Sequence, residues 1–395
     1  MSITDKVAVI GAGMTKFGEH FEQGYLDLAV DAAYEAYTDA GVEPGQIQAA
    51  WLSTAFPDSG GYEGQSGASL AEALGLYGIP ISRVVNYCAS GMDAFRNACL
   101  AVAAGMYDVA LVVGVEKMRD VASRESLVAQ IAEHGHPVLG KGLTAPDIFA
   151  LCANRYFHEF GIGRETLAQV AVKNHAHGAL NPQAHFQRPA TVAQVLNAPM
   201  IAEPLGLFDC SPVTDGAAAV VVASRTWAEA HGRDLVLVKG IGLAAGGPDT
   251  LFFDPTFDFL GFASTRQAAL DAYRQAGITD PRSQSSQIDF AEVHDCFTIT
   301  EILNYEDLGF APRGEGHRLI TEGVTRLGGA LPVNPSGGLK SCGHPIGATG
   351  VRMIYELTTQ LRGRAGQRQV PNPHVGLAHN LGGIGSVACV AILGV

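Results

Sequence analysis

One order of strand and helix signals is written twice along this chain, and that internal repeat limits the possible folds more than any other feature. In the first half, segments 6–10, 49–54, 83–87, 109–115 and 217–223 are short, β-branched and bounded by turn residues. In the second half, segments 235–241, 288–293, 331–334, 374–378 and 386–393 repeat the order. Helical patterns fill the intervals. Phe95, Cys99, Val102 and Met106 share one helical face, and Met353, Leu357 and Leu361 follow Gly350 at similar spacing. Strands alternating with helices imply a sheet covered on both faces. Each half reads as βαβαβαββ, so the expectation is an α/β fold of two similar halves in five layers: helices, sheet, central helices, sheet, helices.

Residues 119–208 interrupt the first half before its last strand. A segment of that length is too long for a bare loop and implies a small subdomain. The expected division is residues 1–118 with 209–233 as an N-terminal half, 119–208 as an inserted loop domain, and 234–395 as a C-terminal half. The insertion mixes helical sequence over 164–176 with loop sequence such as His134-Gly135-His136-Pro137.

The chain of 395 residues is 47% hydrophobic and 16% charged, enough apolar material for a large core. The N-terminus runs almost at once into Val7-Ala8-Val9-Ile10, with no basic and apolar leader pattern. No apolar run reaches the roughly 18 residues of a membrane span. A soluble, unexported cytoplasmic protein is expected. Its seven cysteines form no CxxC pair and are expected to be reduced. A net charge of −13 argues against nucleic acid and acidic membranes as partners. The acidity is uneven, because 119–208 is locally neutral and holds six of the 13 histidines. That segment is the one in which an anionic ligand would meet the least repulsion.

Two constellations carry chemistry. In Asn86-Tyr87-Cys88-Ala89-Ser90-Gly91-Met92 a strand signal runs into a helix start. Unsatisfied N–H groups and the helix macrodipole there favour thiolate over thiol and can receive an oxyanion. A buried structural cysteine would fit the same place. The second constellation runs from Asn334-Pro335-Ser336-Gly337-Gly338 to Gly343-His344-Pro345-Ile346-Gly347-Ala348-Thr349-Gly350. The repeat sets it at the junction matching that of Cys88, so a pseudo-dyad would bring His344 to Cys88 as its base. A glycine-rich turn with an incidental histidine is the alternative. Other signals are weaker. Gly11-Ala12-Gly13 lacks the third glycine of a dinucleotide fingerprint at the right distance. His134-x-His136 and His175-x-His177 have no nearby cysteine or acidic cluster to complete a metal site, so no metal is expected.

Together these motifs resemble the thiolase superfamily. Gly114-Val115-Glu116-Lys117-Met118 and Asp215-Gly216-Ala217-Ala218 also match its pattern, and the resemblance spans nearly the whole chain. Two places depart from the commoner thiolases. His294-Asp295-Cys296-Phe297 stands where those carry Asn-Glu-Ala-Phe, and His379-Asn380-Leu381 stands where they carry Cys-x-Gly. Both departures look like the sterol-carrier-type and archaeal-type thiolases, in which the second catalytic thiol has moved between loops.

The resemblance implies a thiolase fold and an acyl-CoA C-acyltransferase run as thiolysis or condensation. Cys88 would be acylated, His344 would take its proton, and Cys296 would exchange a proton at the α carbon of the second acyl-CoA. His294 would orient an oxyanion-binding water, and Cys88 with the Leu381–Gly383 turn would form the other oxyanion hole. His379 and Asn380, in the same loop, have no assigned role. The insertion would help hold CoA, which is a substrate; no tightly bound cofactor is implied. A homodimer or homotetramer is implied, and a small OB-fold partner protein is admitted. Two other readings stand beside this one: a thiolase-like retro-aldolase or partner-dependent acyltransferase, and a non-catalytic lipid-binding or scaffold subunit.

Overall fold

A computed structural model describes residues 3–56, 61–121, 144–246, 257–282 and 288–395. His134 and His136 lie outside the described residues. The strands are β1 (Val7–Met14), β2 (Ala49–Ser53), β3 (Ile81–Val84), β4 (Val109–Glu116), β5 (Met200–Ala202), β6 (Leu205–Gly206), β7 (Gly216–Ser224), β8 (Val236–Ala245), β9 (Phe290–Val293), β10 (Val375–Gly382) and β11 (Val387–Gly394). Strands β5 and β6 pair as a small hairpin inside the insertion, and the other nine form one sheet in the order β3-β2-β4-β7-β1-β8-β11-β10-β9.

That order is two copies of one pattern, mirrored about the β1–β8 seam. Counting outward from the seam, each half places its first strand, then its fifth, fourth and second. The last strand pairs antiparallel with both neighbours, and the fourth pairs parallel with the second, in both halves. The seam is narrow: only Ala8↔Leu237 and Val9↔Val236 are in register. The third strand of the second half, expected over 331–334, is reduced to a single bridge between Ala291 and Val333. Pro332 has no N–H to donate, and Asn334 turns to φ 56, so Val333 alone fits the ladder.

Two helices, Ser90–Ala103 and Ile346–Leu361, pack against each other between the half-sheets; the second touches β4 and β7 on one side and β9 and β10 on the other. Tyr25–Ala40 covers the outer face of the first half, and Ala263–Ala276 that of the second. The alternation along β4 shows why. Ala110 and Val112 face the central helices, whereas Leu111, Val113 and Val115 join the core under Tyr25–Ala40. Phe95, Cys99 and Val102 are buried as their spacing predicts, but Met106 lies beyond the helix end and is exposed.

The central helices meet backbone to backbone at their N-termini. A Cβ on Gly350 would lie 2.2 Å from Met92 N, and one on Gly91 would lie 2.9 Å from Gly347 O. Only glycine allows that approach. The residues that precede each helix are thereby drawn together.

The described part of the insertion contributes helices Ala145–Phe160, Arg164–Gly178 and Val192–Leu196. Arg164–Gly178 packs on the helix Thr298–Asp307 and on the short helix Gly338–Cys342, burying Leu167 and Val170 in the main core and polar groups toward its C-terminal end. Among the described residues, no helix is long and apolar enough to cross a membrane.

Candidate active site

Three chemistry-bearing side chains occupy the same position relative to a helix. Cys88 stands two residues before Ser90–Ala103, Cys296 two before Thr298–Asp307, and His344 two before Ile346–Leu361. Each therefore lies near the positive end of a helix of at least ten residues.

The loop that carries Cys88 is locally fixed. Strand β3 ends at Val84, sooner than the sequence suggests, and Tyr87 turns into the left-handed region at φ 49. A non-glycine residue held there stores strain of order 1–3 kcal/mol and lifts the next side chain out of the strand direction. The Asn86 N–H donates to Ser90 Oγ (2.7 Å), the Ser90 hydroxyl to the Tyr87 carbonyl (2.5 Å), and the Asn86 amide to Asp93 (3.1 Å). Cys88 remains half-buried, so a substrate can reach it.

His344 is 7% exposed and His294 is 1% exposed. Cys88 Sγ and one ring nitrogen of each histidine all lie within 4.8 Å of one another, and the two imidazoles meet edge to face with centroids 5.2 Å apart. Each ring is held from behind. Thr349 Oγ1 lies 2.7 Å from His344 Nδ1 while its own proton goes to the Pro345 carbonyl (2.9 Å). The hydroxyl can only accept from Nδ1–H, which leaves the Nε2 lone pair for Cys88. Asn380 Nδ2 lies 3.2 Å from His294 Nδ1. An amide N–H donor there makes Nδ1 the acceptor and leaves Nε2–H as a donor. The two histidines thus offer one base and one hydrogen-bond donor.

Burial, with Arg352 nearby, lowers His344 to about 3. Burial, with His344, His379 and Arg352, holds His294 well below its ordinary value. Both are neutral near pH 7. Burial, reinforced by Cys88, pushes the Cys296 thiol well above its usual range, with Thr300 Oγ1 (3.8 Å) partly offsetting it. Cys296 is a thiol in the resting site.

His379 and Asn380 do not lie in a loop. Strand β10 runs on to Gly382, because His379, Asn380, Leu381 and Gly382 pair with Val390, Cys389, Ala388 and Val387 of β11. Neighbours in a strand face opposite ways. Asn380 reaches His294, whereas His379 points to the outer helix, with Nε2 3.0 Å from Thr265 Oγ1. The structure does not bring His379 to the cluster. Gly383, at φ 59, follows the strand end, and a Cβ on Gly382 would lie 2.9 Å from Asn86 O, so this turn abuts the Cys88 loop.

A supporting polar layer lies beneath, and sequence reasoning missed it. Asp295 accepts from Leu339 N (2.6 Å) and Lys340 N (3.3 Å), tying the Cys296 loop to the segment leading to His344. Asn174 of the insertion donates to both Asp295 (2.8 Å) and Glu301 (2.6 Å), and Lys173 pairs with Glu301 at 2.6 Å. Burial, with Glu301 beside it, raises Asp295 to about 7. Glu116 accepts from Gly347 N, Ala55 N and Thr54 Oγ1, clamping the His344 helix to the end of β2. His177 is structural, bridging the Asn334 carbonyl (2.9 Å) and Leu327 N (3.1 Å), and His175 lies 3.2 Å from the Arg188 carbonyl. Thr349 stood inside the quoted motif, but Asn174 carried no sequence signal.

Two similar half-sheets with a cysteine and a histidine at equivalent helix starts define a two-fold α/β scaffold built for thiol chemistry. The chain belongs to the thiolase family: residues 7–226 match the family described as thiolase, N-terminal domain, and residues 252–395 the thiolase C-terminal domain-like family. It is 41% identical to an acetyl-CoA acetyltransferase of Methanothermobacter thermautotrophicus over 98% of both chains. It is 34% identical to human sterol carrier protein 2 over 98% of this chain and 71% of that one. Among solved structures it resembles a Ltp2-ChsH2(DUF35) aldolase, with a TM-score of 0.83 and 27% identity over 100% of this chain and 99% of the other.

Proposed function

We propose that the chain is an acyl-CoA C-acyltransferase that cleaves 3-ketoacyl-CoA with CoA, or condenses two acyl-CoAs, through an acyl-enzyme at Cys88. The observation that carries this reading is the gathering of Cys88, His294 and His344 within 4.8 Å, with Cys296, like Cys88, two residues before a helix start.

In the thiolysis direction, His344 Nε2 takes the Cys88 proton and the sulfur attacks the C3 carbonyl. The C2–C3 bond then breaks, leaving an acyl group on Cys88 and a carbanion at C2. The Cys296 thiol protonates that carbanion, and acetyl-CoA departs. Free CoA gives its proton to the Cys296 thiolate and attacks the acyl-Cys88 carbonyl; the Cys88 sulfur leaves and takes back the proton held by His344, releasing the shortened acyl-CoA. The carbonyl oxygens that become negative are received by Nε2–H of the histidines, and by backbone N–H groups of Cys88 and of the turn ending at Gly383. Asn380 serves as the residue that orients His294. The insertion, tied to both catalytic loops through Lys173, Asn174 and His177, is assigned to holding CoA. A cytoplasmic homodimer or homotetramer completes the reading, to be checked by light scattering.

A panel of 3-ketoacyl-CoAs with free CoA tests it: loss of the ketoacyl thioester with gain of two acyl-CoAs is expected, and no turnover with any chain length would reject it. The resemblance to the aldolase supports a second reading, a C–C lyase working with a small OB-fold partner of the DUF35 type. That reading predicts retro-aldol cleavage of a 3-hydroxyacyl-CoA without covalent labelling of Cys88, dependent on the added partner.

A further inference from the structure

We propose that Cys88, His294 and His344 form a binding site for a thiophilic divalent cation, Zn2+, which closes the active site reversibly. These three side chains alone, among the described residues, place thiol and imidazole ligand atoms within 4.8 Å of one another. In a tetrahedral zinc site, bonds of about 2.0–2.3 Å hold ligand atoms roughly 3.3–3.8 Å apart. The 4.8 Å bound exceeds that range by about 1 Å, which the three side chains must draw in on binding. One thiolate and two imidazoles with an open fourth position is a donor set that selects zinc over magnesium or calcium.

The outer groups are also those a metal site needs. Thr349 Oγ1 accepts from His344 Nδ1–H, which aims the Nε2 lone pair into the cluster. For His294 the Asn380 amide decides which nitrogen is available. With Nδ2 toward Nδ1, as described above, His294 presents Nε2–H. Asn380 Oδ1 is buried without a hydrogen-bond partner. When the amide turns over, Oδ1 accepts from Nδ1–H and Nε2 becomes a ligand. Hydrogen bonds of this kind, behind the ligating nitrogen, fix ring orientation in metal sites.

Binding releases one proton as one S–Zn and two N–Zn bonds form. The Cys88 S–H bond is lost, an S–Zn bond forms, a proton is released to solvent, and neither imidazole changes charge. The bound ion removes the nucleophile and the base together, so the site is inhibitory.

The test uses the full chain, freed of metal with a chelator and titrated with Co2+ as a coloured probe for Zn2+. One equivalent should give a thiolate-to-cobalt charge-transfer band with tetrahedral ligand-field bands, and Zn2+ should bleach both. Cys88→Ser should abolish the charge-transfer band. His294→Asn should weaken binding by more than the about 10–100-fold typical of losing only a supporting group. Native protein with Cys88 alkylated, checked by mass mapping, should also fail to bind, which covers the case of a variant that does not fold. The proposal is overturned if the native chain binds no Co2+ at millimolar concentration. It is equally overturned if the charge-transfer band survives in Cys88→Ser or after alkylation, or if folded His294→Asn keeps native affinity.

Discussion

Replacing Thr349 by valine exchanges one hydroxyl for a methyl group at a fully buried position five residues after His344. The hydroxyl accepts from His344 Nδ1–H at 2.7 Å and donates to the Pro345 carbonyl at 2.9 Å. Without it, His344 has two choices. It can keep Nδ1–H unpaired in a buried site, at a cost of about 1–3 kcal/mol. Otherwise it can move the proton to Nε2, which removes the lone pair that faces Cys88. Either way the reactive tautomer loses about 1–3 kcal/mol relative to the alternative, which corresponds to roughly 5–150-fold in rate at about 1.4 kcal/mol per factor of ten. Single-turnover acylation of Cys88 by acetyl-CoA, followed by rapid quenching and mass spectrometry, should slow by that amount. Thr349→Ser, which keeps the hydroxyl, should recover most of the rate. A folded Thr349→Val protein that acylates at the native rate would refute the tautomer argument.

Gly350→Ala would push a Cβ to 2.2 Å from Met92 N and 2.4 Å from Asn380 Oδ1, so the central helices must separate; thermal unfolding should show a loss of at least about 1–3 kcal/mol, the usual cost of overpacking. Cys296→Ala should still accept an acetyl group on Cys88 but lose about 10²–10⁴-fold in deuterium exchange at the acetyl methyl of acetyl-CoA, whereas His379→Ala, facing the other side of β10, should retain exchange. Acid should destabilise the protein through its buried neutral histidines. His379 is lowered to about 3 by burial against an unfolded value of about 6.5. Its contribution is therefore complete above about pH 6.5 and is lost as pH falls toward 3, about 2 kcal/mol being gone at pH 5. Denaturant titrations at pH 7 and pH 5 should show a smaller drop in His379→Gln than in the native chain.

The repeated order of strands was legible because β-branched runs and turn residues survive in both halves, and it set Cys88 and His344 at matching junctions. Segment 331–334 looked like a strand because its residues are apolar and extended; Pro332 and the left-handed Asn334 restrict it to one bridge. Placing His379 with Asn380 in a loop failed for a related reason. The resemblance set both residues in one loop, but the ladder to β11 continues through Gly382 and sends the two side chains to opposite faces. The supporting layer was least legible. The helix Arg164–Gly178 buries Leu167 and Val170 in its first half but Lys173, Asn174 and His177 in its second, so the part of its inward face against the catalytic loops is polar and carries no apolar period. Those residues became identifiable only once Asp295, Glu301 and Asn334 were seen opposite them.

Acylation of Cys88 is read out by mass mapping of the whole chain after brief incubation with acetyl-CoA. One acetyl group is expected, on the peptide containing Cys88, and free CoA should discharge it as acetyl-CoA. An acetyl group settled on another cysteine, or a folded protein that never acquires one, would contradict acylation at Cys88.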